Sequence, residues 1–142
     1  AYLFRLQGTI AEADFISRLL ERTGTGLLLD VTNVYVNALN FGFDMYEFVD
    51  QVTASASRVQ MHLAGGVYDE KLAMHMDTHS HPIPDGVFDL YRFALEKSHG
   101  KCGAVFVERD QNFPGEEGWR SEIGRVRQIA EEVEAKFASN AA

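Results

Sequence analysis

Three short apolar runs, each ending in side chains able to bind a metal, constrain this chain more than any other feature. The first is Leu27 to Val31, interrupted by Asp30 and followed by Asn33. The second is Arg58-Val59-Gln60-Met61-His62-Leu63. The third, Cys102 to Val107, runs into Glu108-Arg109-Asp110. Their length and apolar continuity predict strands at about 27–31, 58–63 and 103–108, of the parallel kind that is covered on both faces.

Helical patterns lie between the strands. Thr9-Ile10-Ala11-Glu12 reads as a capping box before Phe15, Ile16, Leu19 and Leu20, and Gly24 and Gly26 stop that helix. The stretch holding Asn33, Asn37, Asn40 and Gly42 reads as a loop, either substrate-contacting or simply turn-rich. Asp44-Met45-Tyr46-Glu47 is a second cap, with Phe48, Val49 and Val52 as an apolar stripe. A long loop is expected from Ala64 to about Pro84. Asp85 then caps a helix carrying Val87, Phe88, Tyr91, Ala94 and Leu95, closed by Gly100. After Pro114-Gly115 a last helix places Ile123, Val126, Ala130, Val133 and Phe137 on one face.

Such alternation predicts an α/β fold whose strands are parallel neighbours in chain order, with right-handed crossovers and helices outside. Three strands cannot close a barrel and leave two unpaired edges. Residues 1–142 therefore read as a single segment of a larger α/β fold, expected to self-associate or to pair with a missing part. The formal charge of -8 excludes a basic nucleic-acid face. No apolar stretch reaches membrane-spanning length and no signal peptide is recognisable, so the expected location is cytoplasmic. A lone cysteine, Cys102, permits no internal disulfide and reads as a buried structural thiol.

Four of the five histidines, His62, His75, His79 and His81, fall within twenty residues of one another, together with Asp77. Neutral imidazoles and ionised carboxylates suit divalent transition metals. Each element of the pattern also has a plain structural reading. Asp30 can cap a turn, His62 can be a hydrogen-bonded core histidine, and Asp77-Thr78-His79 can be a solvated connection. In an extended segment, residues i and i+2 share a direction, which would aim Asp77 with His79 and Glu108 with Asp110, while Arg109 points the other way as a structural ion pair. Two carboxylates so placed repel unless a cation or proton lies between them. Three consecutive strands ending in such groups favour a metal site. His99, before Gly100, reads as a helix-terminal cation, and the run Glu131, Glu132, Glu134 as a solvated helix face.

The strings Leu28-Leu29-Asp30-Val31-Thr32-Asn33-Val34-Tyr35-Val36-Asn37-Ala38, His62-Leu63-Ala64-Gly65, Asp77-Thr78-His79 and Glu108-Arg109-Asp110 resemble the multinuclear non-haem iron oxidase family of the MbnB type. The resemblance runs from Ala1 to the last helix. It implies the carboxyl-terminal part, about three strands, of a TIM-type (β/α)8 barrel related in architecture to xylose isomerases. It implies metal ligands at Asp30, Asn33, His62, Asp77, His79, Glu108 and Asp110, with Glu108 and Asp110 also catalytic. A bridging Glu would fall just before Ala1. Two departures stand out: Gly66 occupies a place where the family commonly has His, leaving His75 or His81 as substitute ligands, and Thr32 stands where Asn is common.

The resemblance further implies two or three iron ions, dioxygen, a Cys-containing precursor peptide as substrate and a leader-recognising partner protein, with the isolated chain inactive. Alternatives are a Zn- or Mn-dependent isomerase or hydrolase on the same barrel, or a non-catalytic segment that binds a partner through its sheet edges.

Overall fold

In the computed structural model, which describes residues 1–4 and 8–140, the elements follow in chain order as α1 (Glu12–Thr23), β1 (Leu27–Asp30), α2 (Val31–Phe41), α3 (Met45–Ser55), β2 (Val59–Leu63), β3 (Val67–Asp69), β4 (Met74–Met76), α4 (Asp85–Ser98), β5 (Cys102–Val107) and α5 (Glu116–Asn140). The three apolar runs form one parallel sheet in the order β1-β2-β5, as their alternation with helices predicts. Leu28 aligns with Gln60 and Gln60 with Ala104; two residues on, Asp30 aligns with His62 and His62 with Phe106.

Among the described residues the sheet is covered on one face only. Leu29, Val59, Met61 and Leu63 are buried in a single core with Leu20, Val49, Val52, Val87, Tyr91, Ile129 and Val133 from the helices. Each such side chain withdrawn from water stabilises the fold by about 1.5–3 kcal/mol before conformational entropy is counted. On the opposite face Leu28 remains 63% and Phe106 50% exposed. The apolar runs, expected to be covered on both faces, thus leave one face open within this chain.

Several local expectations are corrected. The Asn-rich stretch is not a loop but helix α2. The Asp30 side chain accepts from Asn33 N and caps it, Val31, Val34 and Ala38 supply the buried face, and Gly42 at φ 69° closes it in the left-handed region. The long connection after Ala64 contains the antiparallel hairpin β3–β4, which Asn40 holds by donating to His75 O and accepting from His75 N, both at 2.8 Å. Helix α1 starts from Ala11 without a side-chain cap, so the Thr9 capping box does not form. Pro84, not Asp85, is the N-cap of α4; Asp85 accepts instead from Arg125. His99 at φ 48° is the C-cap of α4, ahead of Gly100. On α5 the buried positions are Val126, Ile129 and Val133, whereas Ile123 is exposed. Asp44 caps α3 as expected, accepting from Tyr46 N and Glu47 N. Among the described residues no helix is long and apolar enough to cross a membrane.

Gly65 permits a close approach that no other residue would. A Cβ there would lie 1.9 Å from His81 O, a backbone atom. Gly65→Ala is therefore expected to destabilise the fold by about 1–3 kcal/mol, the usual effect of overpacking. Chemical denaturation of the two proteins checks this.

Tyr91 in the core and Cys102, only half-buried against it rather than fully buried as expected, give the fold an alkaline limit. Burial pushes the Cys102 thiol above its ordinary 9.0 and the Tyr91 hydroxyl above its ordinary 10.0. Both are neutral in the folded chain, so their contribution is complete below pH 9 and is lost as pH rises through the raised values. Denaturation midpoints are expected to fall above pH 9, and Cys102→Ser to shift the onset upward.

Candidate metal centre

Because the three strands are parallel, their carboxyl ends share one side of the sheet, and that is where the polar runs meet. Asp30 ends β1, His62 sits near the end of β2 and Glu108 follows β5. Glu108 N is held by Leu63 O at 3.0 Å and Asp110 N by His79 O at 2.8 Å, which stitches the connection after β5 to the end of β2 and to the 77–83 segment. Thr32 Oγ1 bonds both the carbonyl and the amide of Ala64, at 2.9 and 2.8 Å, joining the start of α2 to the end of β2. The hydroxyl at this otherwise buried position thus has a definite role.

Asp30 has both oxygens engaged. Oδ1 accepts from Asn33 N at 2.9 Å; Oδ2 accepts from Asn33 Nδ2 at 2.5 Å and from His62 Nδ1 at 2.9 Å. A carboxylate can only accept, so His62 carries its proton on Nδ1 and presents the Nε2 lone pair forward. That Nε2 lies 2.7 Å from Glu108 Oε2 yet is misaligned for a hydrogen bond. His79 Nε2 is 3.2 Å from Asp77 Oδ1, while its Nδ1 faces Asp110 Oδ2 at 3.3 Å and Glu108 Oε2 at 3.6 Å. Asp77 Oδ2 faces the Ala1 nitrogen at 3.4 Å.

His79 reaches this position in an unexpected way. At φ 51° it lies in the left-handed region, so it meets Asp77 through a turn rather than along an extended segment. The two imidazole rings stand 5.3 Å apart. Asp30, Asn33, His62, Asp77, His79 and Glu108 all line a cavity of about 710 Å³, with Leu28, Gln60 and Phe106 of the open sheet face forming its floor. Asp110 stands beside it at His79. A cavity of about 990 Å³ next to α1 and α3 shares no lining residue with this one and contains neither histidine.

His75 and His81 are not brought to the cluster. The His75 ring packs edge-on against Tyr68 at 5.0 Å, and His81 is exposed with Nδ1 2.8 Å from Ser80 Oγ. A Cβ on residue 66 would lie 2.0 Å from Met76 O, so the seated hairpin leaves no room for a side chain there.

The group fits a divalent cation. His62, His79 and Glu108 each offer a ligand atom, all within 4.8 Å of one another. Donors bonded to one ion at about 2.1 Å lie about 3–4 Å apart, a small adjustment away. Among the described residues, His62 Nε2, His79 Nδ1, Asp77 Oδ1 and Asn33 Oδ1 are buried without a hydrogen-bond partner. Three of these face an ionisable group at 2.7–3.3 Å without a hydrogen bond to it, an arrangement that an ion lodged between them would satisfy. Four carboxylates around two imidazoles make that ion positive.

An α/β segment with His62, His79 and Glu108 gathered at the carboxyl ends of parallel strands carries a possible metal site. The family model described as RiPP precursor modification enzyme MbnB/TglH/ChrH matches residues 1–131, and the chain belongs to this family. It is similar to a UPF0276 protein of Bordetella pertussis, 41% identical over 120 residues, or 82% of this chain and 40% of the relative. A UPF0276 protein of Caulobacter vibrioides is 39% identical over 116 residues, 80% of this chain and 39% of the relative. One from Pseudomonas aeruginosa is 40% identical over 128 residues, 88% and 43% respectively. The chain spans about two fifths of the length of these curated relatives.

Proposed function

We propose that this chain is the carboxyl-terminal sector of a TIM-type barrel oxidase that uses iron and dioxygen to modify cysteine residues of a ribosomally made peptide. The observation that carries the reading is the convergence of unpaired, buried His62 Nε2 and His79 Nδ1 on Glu108 at the strand ends. His62, His79 and Glu108 would hold the metal, with Asp77, Asp110 and the Asn33 carbonyl oxygen completing the ligand set around it. Asp30 orients His62 by fixing its tautomer. Bound iron would supply the one-electron chemistry with dioxygen that oxidation of a thiolate requires.

The chain's own groups prepare the site for that chemistry. Asp110 and Glu108, about half exposed on the open side, are placed to take the proton that a substrate thiol gives up on entering. Leu28 and Phe106 floor the cavity and exclude water from one side. The open sheet face and unpaired edges support a barrel completed by the rest of the protein. A peptide substrate accords with the family, and a separate leader-recognising protein is part of the same reading.

The test is metal analysis of full-length protein purified without oxygen, followed by exposure to dioxygen and a Cys-containing precursor peptide. Two or three irons per chain and a mass change on the cysteine are expected. Stoichiometric Zn or Mn with an unaltered peptide would instead favour an isomerase or hydrolase.

A further inference from the structure

The cluster has a second layer behind it, facing away from the cavity. Arg109 is 8% exposed, and its Nη2 lies 2.9 Å from each oxygen of Glu122 on α5. Its Nη1 donates to Asn112 O at 3.4 Å. Glu122 Oε1 also accepts from Ile83 N at 2.8 Å. One carboxylate on a rigid helix therefore grips both the 77–83 segment, which carries Asp77 and His79, and the 108–112 segment, which carries Glu108 and Asp110. Asn112 Nδ2 adds a direct tie to Ser80 O at 3.2 Å.

We infer that the Arg109–Glu122 pair is a positioning device that sets the spacing of the two ligand-bearing segments; this rests on the metal-centre reading above. Glu108 and Asp110 are 50% and 57% exposed at their side chains and gain little restraint from packing. The residue between them is the anchored one. Before a cation binds, Asp77 on one segment and Glu108 and Asp110 on the other repel each other, and the buried pair opposes that spreading. The planar guanidinium is needed because it holds two partners at a fixed angle, which a flexible ammonium does not. Stability alone accounts poorly for the pair. Arg109 Nε has no partner among the described residues, and buried ion pairs are often matched or bettered by apolar residues of similar volume.

The experiment titrates the full-length, metal-free protein with Co²⁺ alone, reading affinity and the visible d–d absorption of the bound ion. Arg109→Lys keeps a buried cation opposite Glu122 and so the fold. Asn112→Gly suits a backbone at φ 49° while removing only the tie to Ser80. Arg109→Lys is expected to unfold within a few degrees of the parent, bind Co²⁺ about tenfold or more weakly, in line with loss of an outer-shell partner, and show a shifted spectrum. Asn112→Gly is expected to move both readouts the same way by less. Parent-like affinity and spectrum in a folded Arg109→Lys protein would overturn the inference. Should that variant not fold, the same result in Glu122→Gln, which keeps an acceptor for Ile83 N but removes the charge facing Arg109, would overturn it. If the parent fails to bind Co²⁺, or if His79→Ala binds it as well as the parent, the metal-centre reading itself falls. The two failures are thus distinct.

Discussion

Replacing His79 with glycine in the full-length protein is expected to empty the metal centre while making the metal-free fold slightly more stable. Loss of a donor should weaken metal binding by more than the roughly 10–100-fold that follows loss of an outer partner. The backbone works in the opposite direction. His79 sits at φ 51°, a region that costs a residue with a Cβ roughly 1–2 kcal/mol and costs glycine almost nothing. The substitution also removes a buried nitrogen that makes no hydrogen bond among the described residues. His79→Ala should empty the centre equally but keep the strain. Elemental analysis and thermal melting of both variants check the pair of effects. A glycine variant that retains metal, or one that melts well below the alanine variant, would contradict the role assigned to His79.

Phe106→Ala is expected to have contrasting effects in the isolated chain and in the full-length protein. Among the described residues, Phe106 and Leu28 lie on the uncovered sheet face, and β1 and β5 each have one unpaired edge. Such a surface favours association. Light scattering of the isolated chain should therefore show self-association that Phe106→Ala reduces, with little effect on its melting. In a completed barrel the same ring would be interior, and its truncation should cost about 3–5 kcal/mol. Equal, small effects in both contexts would argue against a barrel closed over this face.

The strands were legible because parallel strands are written as short apolar runs, and their shared direction carries Asp30, His62 and Glu108 to one end. Helix α2 was not. Asn33, Asn37 and Asn40 are weak helix formers, and their side chains signal turns until tertiary partners claim them. Asn37 accepts from Tyr2 N, Asn40 brackets β4, and Asn33 is held by the cap residue. The Val31, Val34, Ala38 spacing was the available clue. The hairpin was hidden because its strands are three residues each, too short for alternation to register. Proximity in sequence misled at His75 and His81: the hairpin carries the first ring to Tyr68, and the second turns to Ser80. Arg109 was expected to point away from the cluster and to form an ion pair, but its partner on α5 follows only from the packing of that helix.

The Asp30 carboxylate begins α2 through Oδ1 and fixes the proton of His62 through Oδ2. Helix nucleation and the readiness of the imidazole are therefore not separately adjustable. A cation that binds His62 also draws on Asp30 and reinforces the first turn of α2. By mass action its affinity adds to the free energy that keeps that turn formed. Fraying of the turn, in return, releases the imidazole. Hydrogen exchange at Asn33 and Val34 should consequently slow as the centre fills, so that the start of an ordinary surface-to-core helix becomes a gauge of metal occupancy.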